Sequence, residues 1–198
     1  MIRIERLPIN DGNITSLFGL RNIKVGSTSY WWHNGIDFKV QIGTPVYAVS
    51  DGTVKVAKNN EGGYGLYVAI DHRYYGTLYA HLSRYVVAED QEVKAGDLIG
   101  YSGESGTATG PHLHFEIRIC EYKDFWDRCN CDSNVFMRCA DPMIYINEFL
   151  ERTNDLTVDS AKKIVQKYAG LEQKTIDYLA NDYKYGSDLI TKLAKAII

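Results

Sequence analysis

Two histidine-bearing segments have residue types and spacings that suit metal chemistry. One is an H-x-x-x-D pattern that runs from His33 to Asp37. Gly35 lies inside it, which argues against a helix and favours a turn that folds the carboxylate back beside the imidazole. Imidazole and carboxylate are both zinc ligands. Taken alone, a histidine and an aspartate four positions apart also occur by chance in many proteins, so the pattern needs support from elsewhere in the chain.

The second segment is an H-x-H pattern formed by His112 and His114. Side chains alternate between the two faces of a strand, so both imidazoles are expected to point into one cleft. Leu113 and Phe115 would then point into the core. Glu116 shares the face of the histidines, where it is either a hydrogen-bond partner of a metal-binding imidazole or a solvated strand residue. An isolated strand of this kind is otherwise often only a polar face.

A third histidine, His81, follows a strand-like run and precedes a turn signal at Ser83. On its own, such a histidine is more often structural than catalytic. His72 fits none of these patterns, and we expect it at the surface or at the end of a strand.

Taken together, these segments resemble the LytM/lysostaphin-type zinc endopeptidases, a family of peptidoglycan metallopeptidases. The likeness covers about residues 16–142. The segments that carry it, in chain order, are SLFGLR from 16, HNGIDF from 33, GTPV from 43, DGTV from 51, YAHLS from 79, VKAGDLIG from 93 and TGPHLHFE from 109. Their common order, rather than any one of them, makes the resemblance specific.

The resemblance implies roles for five residues. His33, Asp37 and His114 would bind zinc, and His81 and His112 would face the zinc-bound water without binding the metal. Two imidazoles and one carboxylate leave zinc a fourth position for water, which is the open arrangement of a catalytic site. The chain has no H-E-x-x-H motif, and so lacks the glutamate base of that motif. We therefore expect His81 and His112 to orient the water, relay its proton and stabilise the oxyanion.

The activity implied by the resemblance is hydrolysis of peptide bonds in bacterial peptidoglycan, in a stem peptide or a cross-bridge. Members of this family cut different bonds, and the loops around the cleft decide which. The alternative function is that of a catalytically inactive relative that binds peptidoglycan or a partner protein as a scaffold. Such relatives usually lose ligands, whereas all five side chains are present here, which favours the enzyme.

The elements that must position these residues are predicted to be short antiparallel strands. Between residues 14 and 119, alternating apolar runs such as 53–57 and 66–70 are separated by frequent glycine, asparagine and aspartate. This pattern predicts a mainly β fold with antiparallel sheets, in keeping with a LytM-like core. After residue 142 the spacing becomes helical and predicts two or three short helices between about 157 and 198. We therefore predict a peptidase domain over 1–150 and a small helical appendage over 151–198, which could dock to virion or tail proteins.

Four cysteines lie in a stretch of about 120–140 that has no clear period and is interpreted as a long inserted loop. Their spacing, C-x8-C-x-C-x7-C, lacks the C-x2-C pair of standard zinc fingers. Two disulfides, a second structural zinc site with four thiolates, and free thiols are all open alternatives. The four residues are Cys120, Cys129, Cys131 and Cys139.

Charge and hydropathy exclude several other classes of protein. A formal net charge of −3 gives no electrostatic footprint for nucleic acid, and no apolar run is long enough to span a bilayer. The first ten residues carry charges at Arg3, Glu5 and Arg6 and lack the apolar stretch of a secretory signal. The resemblance implies action at the bacterial cell wall. For such an enzyme without a signal we expect a bacteriophage particle or lysis cassette, which Met1 favours, and the alternative is an exported enzyme whose leader has been trimmed.

Overall fold

A computed structural model describes residues 2–25, 28–119 and 139–154, together with positions 161–163, 165–166, 176–177, 190–192 and 194. Over this part of the chain the strands are β1 (Asn13–Ser16), β2 (Gly19–Val25), β3 (Thr28–His33), β4 (Ile36–Lys39), β5 (Pro45–Tyr47), β6 (Gly52–Asn60), β7 (Gly65–Asp71), β8 (Gly76–Tyr85), β9 (Glu92–Val93), β10 (Leu98–Ser102), β11 (His112–Arg118) and β12 (Cys139–Ala140). A helix, α1, spans Pro142–Asn154. The mainly β, antiparallel class predicted from the sequence is confirmed.

One large antiparallel sheet carries the candidate site. Its strand order is β1-β4-β11-β8-β7-β6-β9, while β10 pairs with β5 and β8, and β12 pairs with β11. Strands β2 and β3 form a separate two-stranded sheet. In the large sheet, Asp37 of β4 and Ala80 of β8 lie on either side of His114 of β11. The sheet therefore brings three distant parts of the chain side by side.

Apolar side chains at alternate positions of β11 pack into the core. Leu113, Phe115 and Ile117 are fully buried, and the ring of Phe115 lies 5.3 Å from that of Tyr79 on β8. Each such buried side chain contributes about 1.5–3 kcal/mol to stability. Since neighbouring residues of a strand face opposite ways, the intervening polar residues of β11 lie on the other face of the sheet.

The turn between β3 and β4 depends on Gly35. A Cβ at this position would lie 2.1 Å from the backbone carbonyl oxygen of Phe115. No side chain fits there unless the turn or strand β11 moves. The absence of a side chain thus allows the end of β3, which carries His33, to lie close against β11.

The helix α1 begins earlier than the sequence analysis predicted. It starts at Pro142, whereas the first helix was expected only from about residue 157. The carboxylate of Asp141 accepts a hydrogen bond from the backbone N–H of Met143 at 2.9 Å, and proline suits the first helical position. An aspartate followed by proline is a helix-start signal, which hydrophobic periodicity alone does not reveal.

The chain divides into two compact units, Met1–Ile146 and Asn147–Ile198. The domain boundary at 150 and the docking role of the helical region stay predictions, and most of 155–198 lies outside the described residues. Cys120, Cys129 and Cys131 also lie outside them, whereas Cys139 is buried. The alternatives for the cysteines therefore stay predictions. Among the described helices, none combines the length and the apolar character needed to cross a bilayer.

His72 is buried, which corrects the expectation of a surface position. It directly follows the last residue of β7. Its Nδ1 donates to the backbone carbonyl of Asp51 at 2.7 Å, and its Nε2 lies 2.8 Å from the hydroxyl of Thr77. The ring stacks on Tyr75 with a centroid distance of 4.6 Å. Both ring nitrogens therefore have partners when the imidazole is neutral, and burial lowers the pKa of His72.

We expect the free energy of unfolding to fall as the pH drops below about 6.5, with a contribution from His72. Its pKa is lower in the folded protein than in the unfolded chain, so the unfolded state binds more protons between these two values. Urea titrations across this range should give a shallower dependence of the unfolding free energy on pH for His72→Phe than for the wild type. Val54→Ala, which opens a cavity but removes no titratable group, should keep the wild-type dependence. Identical dependences for His72→Phe and the wild type would contradict the assignment.

Candidate metal centre

Three of the residues singled out in the sequence meet on the polar face of β4 and β11. Nε2 of His33 lies 3.1 Å from Oδ1 of Asp37 and 3.0 Å from Nδ1 of His114. Nδ1 of His114 lies 2.9 Å from the same Oδ1. All three potential ligand atoms lie within 4.8 Å of one another. The two imidazoles are buried and the carboxylate is half-buried.

Hydrogen bonds on the outer side of each ring fix which nitrogen faces this cluster. Nδ1 of His33 lies 2.8 Å from the backbone carbonyl oxygen of Leu17, which can only accept. Nε2 of His114 lies 2.9 Å from Oε1 of Glu116, an ionised carboxylate that also only accepts. In the neutral form of each ring, the outer nitrogen therefore carries the proton and the inner nitrogen presents a lone pair.

When both rings are neutral, three lone pairs face one another, an arrangement that a shared positive charge stabilises. Burial lowers the pKa of His114, but its contacts with Asp37 and Glu116 outweigh that effect and raise the pKa to about 9. Burial raises the pKa of Asp37, but its contacts with His114 and His33 outweigh that effect and hold the pKa well below its usual value. Both pKa shifts show that the electrostatic environment between Asp37 and His114 favours positive charge. Two imidazole nitrogens and one carboxylate oxygen fit a divalent ion such as zinc.

His81 and His112 lie beside the cluster. Their ring centroids are 4.6 Å apart, and Nε2 of His112 lies 3.8 Å from Oδ1 of Asp37. Nδ1 of His81 donates to the backbone carbonyl of Ser105 at 2.8 Å, and Nδ1 of His112 donates to that of Gly110 at 2.7 Å. In the neutral form, each ring therefore carries its lone pair on Nε2, where it can accept a proton.

The backbone of His81 is held in an unusual conformation. Its φ of 58° lies in the left-handed region, which residues other than glycine rarely adopt. Its N–H donates to the carbonyl of Tyr64 at 2.8 Å, and Ser105 holds its ring. A Cβ on Gly106 would lie 2.3 Å from the backbone nitrogen of Gly65, so glycine lets this loop approach β7. Such a conformation costs about 1–3 kcal/mol and persists where its surroundings enforce it.

The protonation state of His81 follows from the same position. Burial lowers its pKa to about 4, and the positive charge of a protonated His114 acts in the same direction. The imidazole is therefore neutral at physiological pH. A neutral ring with its lone pair on Nε2 is able to act as a general base.

Two residues that the sequence analysis did not assign to the site lie behind His114. Arg118 donates to Oε2 of Glu116 at 2.8 Å, and the hydroxyl of Tyr64 donates to Oε1 at 2.7 Å. Arg118 lies two positions after Glu116 on β11, so strand alternation was a signal that could have found it. Tyr64 is 52 positions away from Glu116, and no local pattern connects them.

Comparison with known proteins shows what the sequence resembles. Residues 32–125 match the model of peptidase family M23. The chain is 42% identical over 117 residues to the peptidoglycan DD-endopeptidase ShyA of Vibrio cholerae, covering 58% of this chain and 27% of that protein. It is 44% identical over 113 residues to the DD-carboxypeptidase/endopeptidase Mpg of Neisseria meningitidis, covering 57% of this chain and 26% of that protein. The chain thus spans about a quarter of the length of these curated relatives.

Solved peptidase structures share the fold. The catalytic domain of lysostaphin from Staphylococcus simulans has a TM-score of 0.57 at 31% identity, covering 70% of this chain and 94% of that chain. A zinc containing peptidase from Vibrio cholerae also has a TM-score of 0.57, at 34% identity, covering 72% of this chain and 40% of that chain. All five candidate residues fall within the region matched by the family model.

Proposed function

Because the chain belongs to peptidase family M23, we propose that it is a zinc-dependent endopeptidase that hydrolyses peptide bonds of bacterial peptidoglycan. The observation that carries the proposal is the convergence of three lone pairs at separations of 2.9, 3.0 and 3.1 Å. Three protein ligands are the number that leaves a catalytic zinc ion one position for water or substrate. The name of the Vibrio cholerae relative, a peptidoglycan DD-endopeptidase, supports peptidoglycan as the substrate.

Zinc would be held by Nε2 of His33, Oδ1 of Asp37 and Nδ1 of His114. When bound there, it would polarise the scissile carbonyl and lower the pKa of water. The hydrogen bonds to Leu17 and Glu116 keep both imidazoles in the tautomer that can bind the ion. An ion bound there would take the place of the proton that Nδ1 of His114 and Asp37 attract in its absence.

His81 and His112 are proposed to handle the protons of the reaction. Each accepts a proton at Nε2, since Nδ1 already donates to a backbone carbonyl. One ring takes the proton of the attacking water. The protonated ring then becomes a donor, which can stabilise the developing oxyanion or deliver the proton to the leaving amine. The 4.6 Å between the ring centroids allows both rings to reach one reacting group.

A DD-type bond is the proposed scissile bond. The peptidoglycan DD-endopeptidase of Vibrio cholerae and the DD-carboxypeptidase/endopeptidase of Neisseria meningitidis are 42% and 44% identical to this chain, whereas lysostaphin is 31% identical. Mass spectrometry of the fragments released from walls with different cross-links identifies the bond. Release of fragments cut only at another position would overturn this part of the proposal.

Purified protein is expected to contain about one zinc ion per chain and to reduce the turbidity of isolated cell walls. A chelator should abolish both the metal content and the turbidity loss, and added zinc should restore them, because the three ligands alone hold no nucleophile. Elemental analysis and a turbidity assay measure the two quantities. Zinc-loaded protein that binds walls without releasing fragments would instead favour the scaffold function.

We propose that the enzyme acts at the bacterial cell wall. Attachment to a phage particle or tail through the region 151–198 and export as a bacterial enzyme are both compatible with this activity. The two settings differ in what surrounds the enzyme and not in the chemistry of the site.

A further inference from the structure

A buried ion pair lies behind His114, on the side away from Asp37 and His33. Glu116 is fully buried, and Arg118 is 2% exposed. Nε and Nη2 of the guanidinium group both lie 2.8 Å from Oε2 of Glu116. The other carboxylate oxygen, Oε1, accepts from Nε2 of His114 at 2.9 Å.

Tyr64 closes this group into a ring of hydrogen bonds. Its hydroxyl donates to Oε1 of Glu116 at 2.7 Å and accepts from Nη2 of Arg118 at 3.2 Å. Both carboxylate oxygens are therefore held by separate partners. The carboxylate can neither rotate nor turn away from His114 without breaking several bonds.

The ion pair calls for an explanation other than stability. Removing two charges from water offsets most of their attraction, and apolar residues of similar volume often stabilise a buried site equally well. On the opposite face of β11, the buried positions Leu113, Phe115 and Ile117 are apolar. What distinguishes Glu116 is its contact with the outer nitrogen of His114.

We propose that Glu116 is a positioning residue that holds His114 in the tautomer able to bind metal and thereby increases the zinc affinity of the site. Arg118 and Tyr64 hold the two carboxylate oxygens in place through their hydrogen bonds. An ionised carboxylate only accepts, so the proton of His114 must lie on Nε2, which leaves the lone pair on Nδ1. The role rests on the function proposed above, because it concerns the same ion.

The size of the expected effect follows from other metal sites. Loss of a hydrogen-bond partner behind a metal-binding histidine typically lowers metal affinity by about 10- to 100-fold. Glutamine in place of Glu116 would present an amide that can donate as well as accept. Either tautomer of His114 would then find a partner, and the preference for a free Nδ1 would be lost.

The decisive variant replaces both members of the ion pair. Glu116→Gln alone would leave the guanidinium group of Arg118 buried without its counter-charge, which can unfold the protein. Glu116→Gln combined with Arg118→Met removes both charges at similar volume. We expect this double variant to fold, and to bind zinc about 10- to 100-fold more weakly than the wild type in competition with a chromophoric chelator. The absorption spectrum of the cobalt-loaded protein should change as well.

Thr77→Val is the matched control. Thr77 is fully buried, lies opposite Ile117 in the same sheet and loses its hydrogen bond to His72 on substitution. The thermal stability of this variant should fall while its zinc affinity stays at the wild-type value. Tyr64→Phe is the milder test, since it keeps the ion pair and removes one hydrogen bond to Oε1. We expect it to lower zinc affinity severalfold, and it decides the matter if the double variant does not fold.

The outcomes separate the two proposals. Zinc binding by the double variant as tight as that of the wild type would overturn the role of Glu116, and so would an equal loss of affinity in Thr77→Val. If the double variant does not fold, unchanged affinity in Tyr64→Phe would overturn it. Wild-type protein that fails to bind zinc would overturn the proposed function instead, and that measurement precedes any comparison of variants.

Discussion

An Asp37→Ala variant is expected to lose its zinc and to hydrolyse cell walls no faster than the uncatalysed background. Oδ1 of Asp37 lies within 3.1 Å of both facing imidazole nitrogens and carries the only negative charge among the three proposed ligands. Without it, two neutral imidazoles remain, fewer than the three protein ligands of a catalytic zinc site. Elemental analysis of the dialysed protein and the rate of turbidity loss measure the two effects.

Two further variants show whether the loss is specific. Glu92→Ala removes one carboxylate from an exposed strand position and should keep both zinc and activity. Asp37→Asn keeps the shape of the side chain and removes its charge, so it should also bind zinc more weakly than the wild type. Circular dichroism checks that the sheet is intact in each. Full zinc content in a folded Asp37→Ala protein would show that the ligand assignment is wrong.

Replacing His112 or His81 with alanine is expected to leave zinc bound but to slow hydrolysis by about 10²- to 10⁴-fold. Both rings lie beside the three proposed ligands and present Nε2 as an acceptor, held by hydrogen bonds from Nδ1 to Gly110 and Ser105. Their removal takes away proton transfer and leaves the ligand atoms in place. Zinc content and kcat, measured on the same preparation, separate the two roles.

A variant with alanine at both His81 and His112 adds a second test of this pair. If His81 and His112 act on the same proton, replacing both should cost little more than replacing one, because the effects of residues that act as a unit do not add. Loss of zinc from His112→Ala would contradict its placement outside the ligand set. If the rate loss of the variant with both changes instead equals the product of the two single losses, the two imidazoles act independently.

The sequence predicted the fold through the alternation and punctuation of its strands. Residues 112–118 alternate polar and apolar side chains, and β11 indeed buries Leu113 and Phe115 on the core face. Propensity did not reveal the helix that begins at Pro142, since its start is marked by a capping aspartate rather than by periodicity. Burial of His72 was also missed, because its partners are a backbone carbonyl and a hydroxyl that come close only in the folded sheet.

The partners of the candidate site were harder to predict than its histidines. The proposed roles of the five residues came from motifs, which name side chains. The groups that fix the tautomers of His33, His81 and His112 are backbone carbonyls, and every residue carries one. Likewise, nothing near residue 81 signals a positive φ, since that conformation is imposed by contacts with Tyr64 and Ser105.

The pairing of β4 with β11 has a consequence for how long the protein survives. His33 and His114 are 81 positions apart, so an ion held by both would close a loop that contains strands β4 to β10. The unfolded chain does not assemble the site. The ratio of folded to unfolded protein therefore increases as the concentration of the free ion rises. Where zinc is plentiful, the ion would act as a removable cross-link. Where zinc is scarce, the chain would open more often and be degraded sooner, so that the lifetime of the protein would follow the supply of the ion.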